Sequence, residues 1–120
     1  MKFWYMIEYK LVRAPTGNRN TGQPEYRAIG VWCVGKSGGL DVEVRMLPGH
    51  AEEQEEADWV INRLVESGVE RVGREFLEHH QETLSPYRGM RSEIVETDRY
   101  PTREALFADL LKQIREGKIR

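Results

Sequence analysis

Cysteine occurs once, at Cys33. That excludes an intrachain disulfide and a cysteine-based zinc site, and it points to a reducing, cytoplasmic setting. Long hydrophobic runs are missing as well: nowhere do about 20 apolar residues follow one another, so no membrane-spanning helix is expected. The opening Met-Lys-Phe-Trp-Tyr-Met-Ile-Glu meets a charge at Glu8 and has no small-residue cleavage site, unlike a signal peptide. There is no internal repeat and no low-complexity tract. Histidine is scarce too: His50, His79 and His80 form no H-x-x-x-H or H-x-H pair, so two imidazoles cannot chelate a metal from one helical face. His50 beside Glu52 or Glu53, and His79 beside Glu75 or Glu82, are ordinary surface combinations, while His80 falls on an apolar stripe and reads as an interior histidine. No metal and no cofactor is expected.

Charge of one sign is also lacking. The chain carries 18 Lys and Arg against 20 Asp and Glu, a net charge of −2, which does not describe a generic polyanion binder. The balance is uneven along the sequence. Residues 51–70 set Arg63 alone against Glu52, Glu53, Glu55, Glu56, Asp58, Glu66 and Glu70, an acidic helix in mildly basic surroundings.

What is present suits one domain over residues 1–120, with an apolar fraction of 39%. Residues 2–13 are aromatic and β-branched and read as a strand, with Phe3, Tyr5, Ile7, Tyr9 and Leu11 on one face. Residues 14–24 hold Pro, Gly and Asn and form a long loop. Residues 25–35 form a second strand, apolar on both faces from Ala28 to Val34 and therefore in need of cover on both sides. Residues 40–46 alternate apolar Leu40, Val42, Val44 and Met46 with charged Asp41, Glu43 and Arg45, a third strand suited to a sheet edge. The 51–67 segment follows helical spacing with Ala57, Val60, Ile61, Leu64 and Val65 on its buried stripe. Residues 69–83 read as a second helix or as a short strand followed by a helix. Residues 91–97 read as a fourth strand, and Thr102 caps a last helix stopped by Gly117. The fold class is α+β: an antiparallel sheet of three to four strands, in β-β-β-α-α-β-α order, packed with helices. Three helices are few to cover both sheet faces, so homo-oligomerisation or a partner is expected.

One motif has to be set aside. Gly30-Val-Trp-Cys-Val-Gly35-Lys36-Ser37 fits the phosphate-loop pattern, but that loop needs a strand before it and a helix after it. Here Gly38-Gly39 and a strand follow, so Gly-Lys-Ser-Gly-Gly reads as a hairpin turn.

Two sets of side chains remain. Trp4, Tyr9, Tyr26 and Trp32, with Arg13, Arg19 and Arg27 nearby, have the composition of a base-stacking sheet, although most such rings in sheets are core. Trp59 lies opposite the apolar stripe of its helix among Glu52, Arg63 and Glu66. A tryptophan on a polar face is either covered by another element or anchors a protein interface.

Over residues 40–72 the chain resembles the opening of ribonuclease-H-like domains, through strand order, Ala51-Glu52-Glu53 on the first helix and Gly68-Val-Glu-Arg-Val72 after it. The resemblance implies a truncated ribonuclease-H-like fold in which Glu8, Glu53 and a third carboxylate such as Glu104 converge on two magnesium ions. The first strand has no Asp-Gly, and Phe76-Leu77 stands where the family has Asp-Ser, so a related fold implies lost catalysis. The reading favoured by the residues is a small non-catalytic protein-interaction module, an adaptor, inhibitor or antitoxin-like partner. It would use Trp59, Glu52, Glu55, Glu56 and Arg63 on the acidic helix and Arg13 and Arg19 at the 14–24 loop, with a protein of basic surface as partner. A nucleic-acid-binding domain is the alternative.

Overall fold

A computed structural model describes residues 2–13, 25–35, 41–69, 72–84 and 90–119. Four strands form one sheet in the order β3-β2-β1-β4: β1 (Phe3–Arg13), β2 (Glu25–Gly35), β3 (Val42–Met46) and β4 (Met90–Thr97). Every neighbouring pair is antiparallel. The helices are α1 (Ala51–Glu66), α2 (Arg74–His79), which runs on into a π-helical turn at His80–Leu84, and α3 (Arg103–Arg115). The α+β class and the element order follow the alternation of the sequence.

The central strands explain the two cores. Phe3, Ile7, Val31 and Cys33 face α3 and bury its Leu106, Phe107, Leu110 and Ile114. Met6, Trp32, Val34 and Val44 face the other way, beneath Ala57, Val72 and Leu77 from α1, α2 and the segment between them. Every residue from Ala28 to Val34 is buried, so β2 is covered on both faces within one chain. Cover for both faces of β2 therefore comes from this chain's own helices.

The charged residues of β3, and Asp41 just before it, are ion-paired while still partly exposed. Arg45 lies over the Phe107 ring at 4.6 Å and pairs with Glu104, and Asp41 pairs with Arg103. These contacts fix the start of α3, where Thr102 Oγ1 accepts a hydrogen bond from Ala105 N–H at 3.1 Å and acts as the expected N-cap. Gly68 and Gly117 follow their helices with φ of 76° and 74°, the left-handed stop that glycine adopts without steric cost.

A glutamine side chain bonds to the outer backbone of each edge strand. Leu47 N–H donates to Ile29 O at 2.7 Å, so odd-numbered residues of β3 aim their backbone groups at β2, and Val44 and Met46 aim theirs outward. Gln54 of α1 meets those outward groups: its Oε1 accepts from Met46 N–H at 2.8 Å and its Nε2 donates to Val44 O at 3.2 Å. Carried across the sheet by the register, the same alternation turns Ser92 of β4 outward, and Ser92 O accepts from Gln81 Nε2 at 2.7 Å.

Two expectations change. The second helix starts at Arg74, and Val69, Val72 and Gly73 are neither helix nor strand, so the strand implied after Gly68 by the ribonuclease-H resemblance is not formed by these residues. Val65 is 54% exposed: at about 100° per residue it sits some 80° around the helix from Ala57, on the flank of the stripe. Of the proposed hairpin turn, residues 35–39, all but Gly35 lie outside the described residues; the next described element after β2 is β3, not the helix that a phosphate loop requires.

Candidate functional site

Helix α1 has two distinct sides. Inward, Ala57 and Glu53 are buried and Val60, Ile61 and Leu64 are half-buried. Glu53 stands in the first turn, where the helix dipole favours a carboxylate. It is tied to Lys10 of β1, with His50 Nδ1 at 3.7 Å. Burial pushes its carboxyl up, and the Lys10 ammonium, its own backbone N–H and His50 more than offset this, so it titrates below the ordinary carboxylate range. Lowered in the folded chain, Glu53 stabilises the fold above the unfolded carboxyl value of about 4.3 and ceases to do so as pH falls through its folded value. Glu53→Gln is accordingly expected to lower the urea midpoint at pH 7, with the gap from the parent chain shrinking at pH 3. A gap equal at both pH values would show that the Lys10 pair does not stabilise the fold.

Outward, α1 presents Glu52, Glu55, Glu56, Trp59 and Arg63, all exposed. Trp59 is 63% exposed. Arg63, one turn on, places its guanidinium carbon 5.6 Å from the Trp59 ring centre and its Nη1 3.7 Å from Glu66. Every sequence-selected residue of α1 thus shares one face. The Arg13 side chain, Arg19 and the rest of the 14–24 loop lie outside the described residues.

Beneath the helices is a polar cluster that periodicity alone did not assemble. Glu8 of β1 and His80 of the π-helical turn are both fully buried. Trp32 Nε1–H donates to Glu8 Oε2 at 2.8 Å, and His80 Nε2 lies 3.5 Å from Glu8 Oε1. The imidazole packs against Trp32, with ring centres 4.4 Å apart, and stacks on Phe76. Neither imidazole nitrogen makes a hydrogen bond among the described residues, nor does the buried Ser92 Oγ. Ser92 is directly opposite Glu8 in the register and so shares its face. A serine, a histidine and a carboxylate on one face suggest acyl-transfer chemistry, but a nucleophile has to meet substrate, and His80 and Glu8 have no accessible surface. The cluster pins β1, β2 and the π-helical turn together. Its sequence signal was a glutamate inside an aromatic strand and a histidine on an apolar stripe.

The other candidate groups lie apart among the described residues. Glu104 pairs with Arg45 on the α3 face, opposite Glu8 and Glu53, so the three carboxylates implied by the ribonuclease-H resemblance do not converge. Among the described residues no group of three His, Cys, Asp or Glu side chains is placed to hold a metal. Of the rings proposed for base stacking, Trp32 and Tyr9 are buried, while Trp4 and Tyr26 are half-buried, with Arg74 and Arg91 over their faces. Burial raises the Cys33 thiol to about 11, so it carries no thiolate at neutral pH. No described helix is long and apolar enough to cross a membrane. Comparison with family models, curated proteins and solved structures found no match.

Proposed function

We propose that this chain is a small protein-interaction module, an adaptor, inhibitor or antitoxin-like partner, that binds through the outward face of α1 with Trp59 as its anchor. The observation that carries this reading is the exposure of Trp59: a large ring, 63% accessible in the middle of a helix, whose own core supplies nothing to cover it. Tryptophan is enriched among the residues that dominate binding energy in protein interfaces. The flanking Glu52, Glu55 and Glu56 favour a partner of basic surface, because charge complementarity steers encounter and sets register.

Trp59→Ala is the test. Truncating an exposed side chain leaves both cores intact, so its thermal midpoint is expected to match that of the parent chain. A partner recovered with the parent chain from its native host is expected to be lost with the variant, and loss of a central anchor weakens binding by about 2 kcal/mol or more, on the order of thirtyfold in Kd. Recovery of the same partner by both chains, or unfolding of the variant, overturns the reading.

A further inference from the structure

The chemistry of the partner follows from what already occupies the Trp59 ring, on the reading that the outward face of α1 is the docking surface. In the isolated chain that ring carries a guanidinium, with the Arg63 carbon 5.6 Å from its centre. Indole is the best of the aromatic faces for a cation, and a planar guanidinium stacks on it where an ammonium does not. Among the described residues Arg63 has one ion-pair partner, Glu66, the two side chains being 65% and 68% accessible, and pairs of that kind are worth little. It is therefore easily displaced, and it can keep Glu66 when it leaves the ring.

The acids supply the second half of the argument. Glu52 and Glu55 stand seven and four residues before Trp59, on the same stripe. Both are exposed, and neither has an ion-pair partner among the described residues. Glu52, Glu55 and the ring form a row about 10 Å long at ~1.5 Å of rise per residue, which three or four residues of extended chain span at ~3.3 Å each.

We infer that the partner docks an arginine-rich segment along this row, and that one of its guanidinium groups takes the place of Arg63 on Trp59. Arg63 is then an internal stand-in for the ligand, and it competes with it.

Labelled octa-arginine and octa-lysine peptides, titrated by fluorescence anisotropy against the full chain at low salt, test this. Octa-arginine is expected to bind more tightly than octa-lysine. Trp59→Ala is expected to weaken octa-arginine at least fivefold, and Arg63→Lys, which keeps the charge and gives up the planar stack, to tighten it about threefold. Lys112→Gln on α3 controls for net charge and is expected to change little. Equal affinity for the two peptides with Trp59→Ala neutral would reduce the contact to plain electrostatics and overturn the inference, as would an Arg63→Lys variant that binds no better. If octa-arginine fails to bind while Trp59→Ala still loses the native partner, the docking surface stands and the arginine assignment falls. If Trp59→Ala keeps the native partner, both fall. Self-association of the chain that responds to Arg63→Lys would make a second copy the occupant and also overturn the assignment.

Discussion

Trp32→Ala is expected to lose about 3–5 kcal/mol of stability, the range for deleting a fully buried large aromatic side chain. That is a large share of the roughly 5–15 kcal/mol that holds a domain folded. Trp32 has no accessible surface and lies against Phe76 and His80, with ring centres at 6.0 and 4.4 Å. Its removal opens a cavity where β2 meets α2 and the π-helical turn. It also withdraws the indole N–H from Glu8, a carboxylate with no access to water. Trp32→Phe separates the two effects by keeping most of the ring volume and giving up the donor. It is expected to cost about 1–3 kcal/mol, the penalty for a buried polar group deprived of a hydrogen bond. Urea unfolding gives both numbers, provided the slope stays constant. A phenylalanine variant as stable as the parent would show that the indole bond to Glu8 contributes nothing.

The second large effect belongs to the opposite face. Phe107→Ala is expected to cost about 3–5 kcal/mol, because Phe107 is fully buried between α3 and the sheet. The loss reaches beyond the cavity, since Arg45 rests on that ring while it pairs with Glu43 and Glu104. Without the ring, β3 loses the platform that joins it to the first turn of α3. Phe107→Leu keeps most of the volume and is expected to cost less than half as much. Amide exchange should locate the damage: faster exchange in β3 and the start of α3, with little change near Trp32. Equal acceleration on both sides of the sheet would show that the two cores unfold as one unit.

These residues also show what could be read in advance. The apolar run of β2 and the alternation along β3 marked a covered central strand and the inward face of Val44, and the Thr102 cap placed the start of α3. In each case a short local pattern carries the whole signal. The same logic put Trp59 on the outside of its helix, because exposure there depends only on angle around the axis. Pairings across long separations were not legible. Glu8 and His80 are 72 positions apart in sequence, and only the packing of the π-helical turn on the sheet brings them together. That turn is itself a tertiary product, since an α-helix and a π-helix ask for the same residue types over so short a stretch. Val65, expected on the buried stripe of α1, is exposed because its angle carries it to the flank of that stripe.

Gln54 and Gln81 decide which kinds of recognition remain open to this molecule. A protein that lends a strand to a bare sheet margin gains affinity from main-chain amides, which are alike in every sequence, and such a margin also recruits unrelated chains into aggregates. Here the outward Met46 N–H, Val44 O and Ser92 O are already taken by glutamine side chains. At those points the generic handle is occupied, and selectivity there has to be written in the identity of surface side chains, where a single substitution can rewrite it.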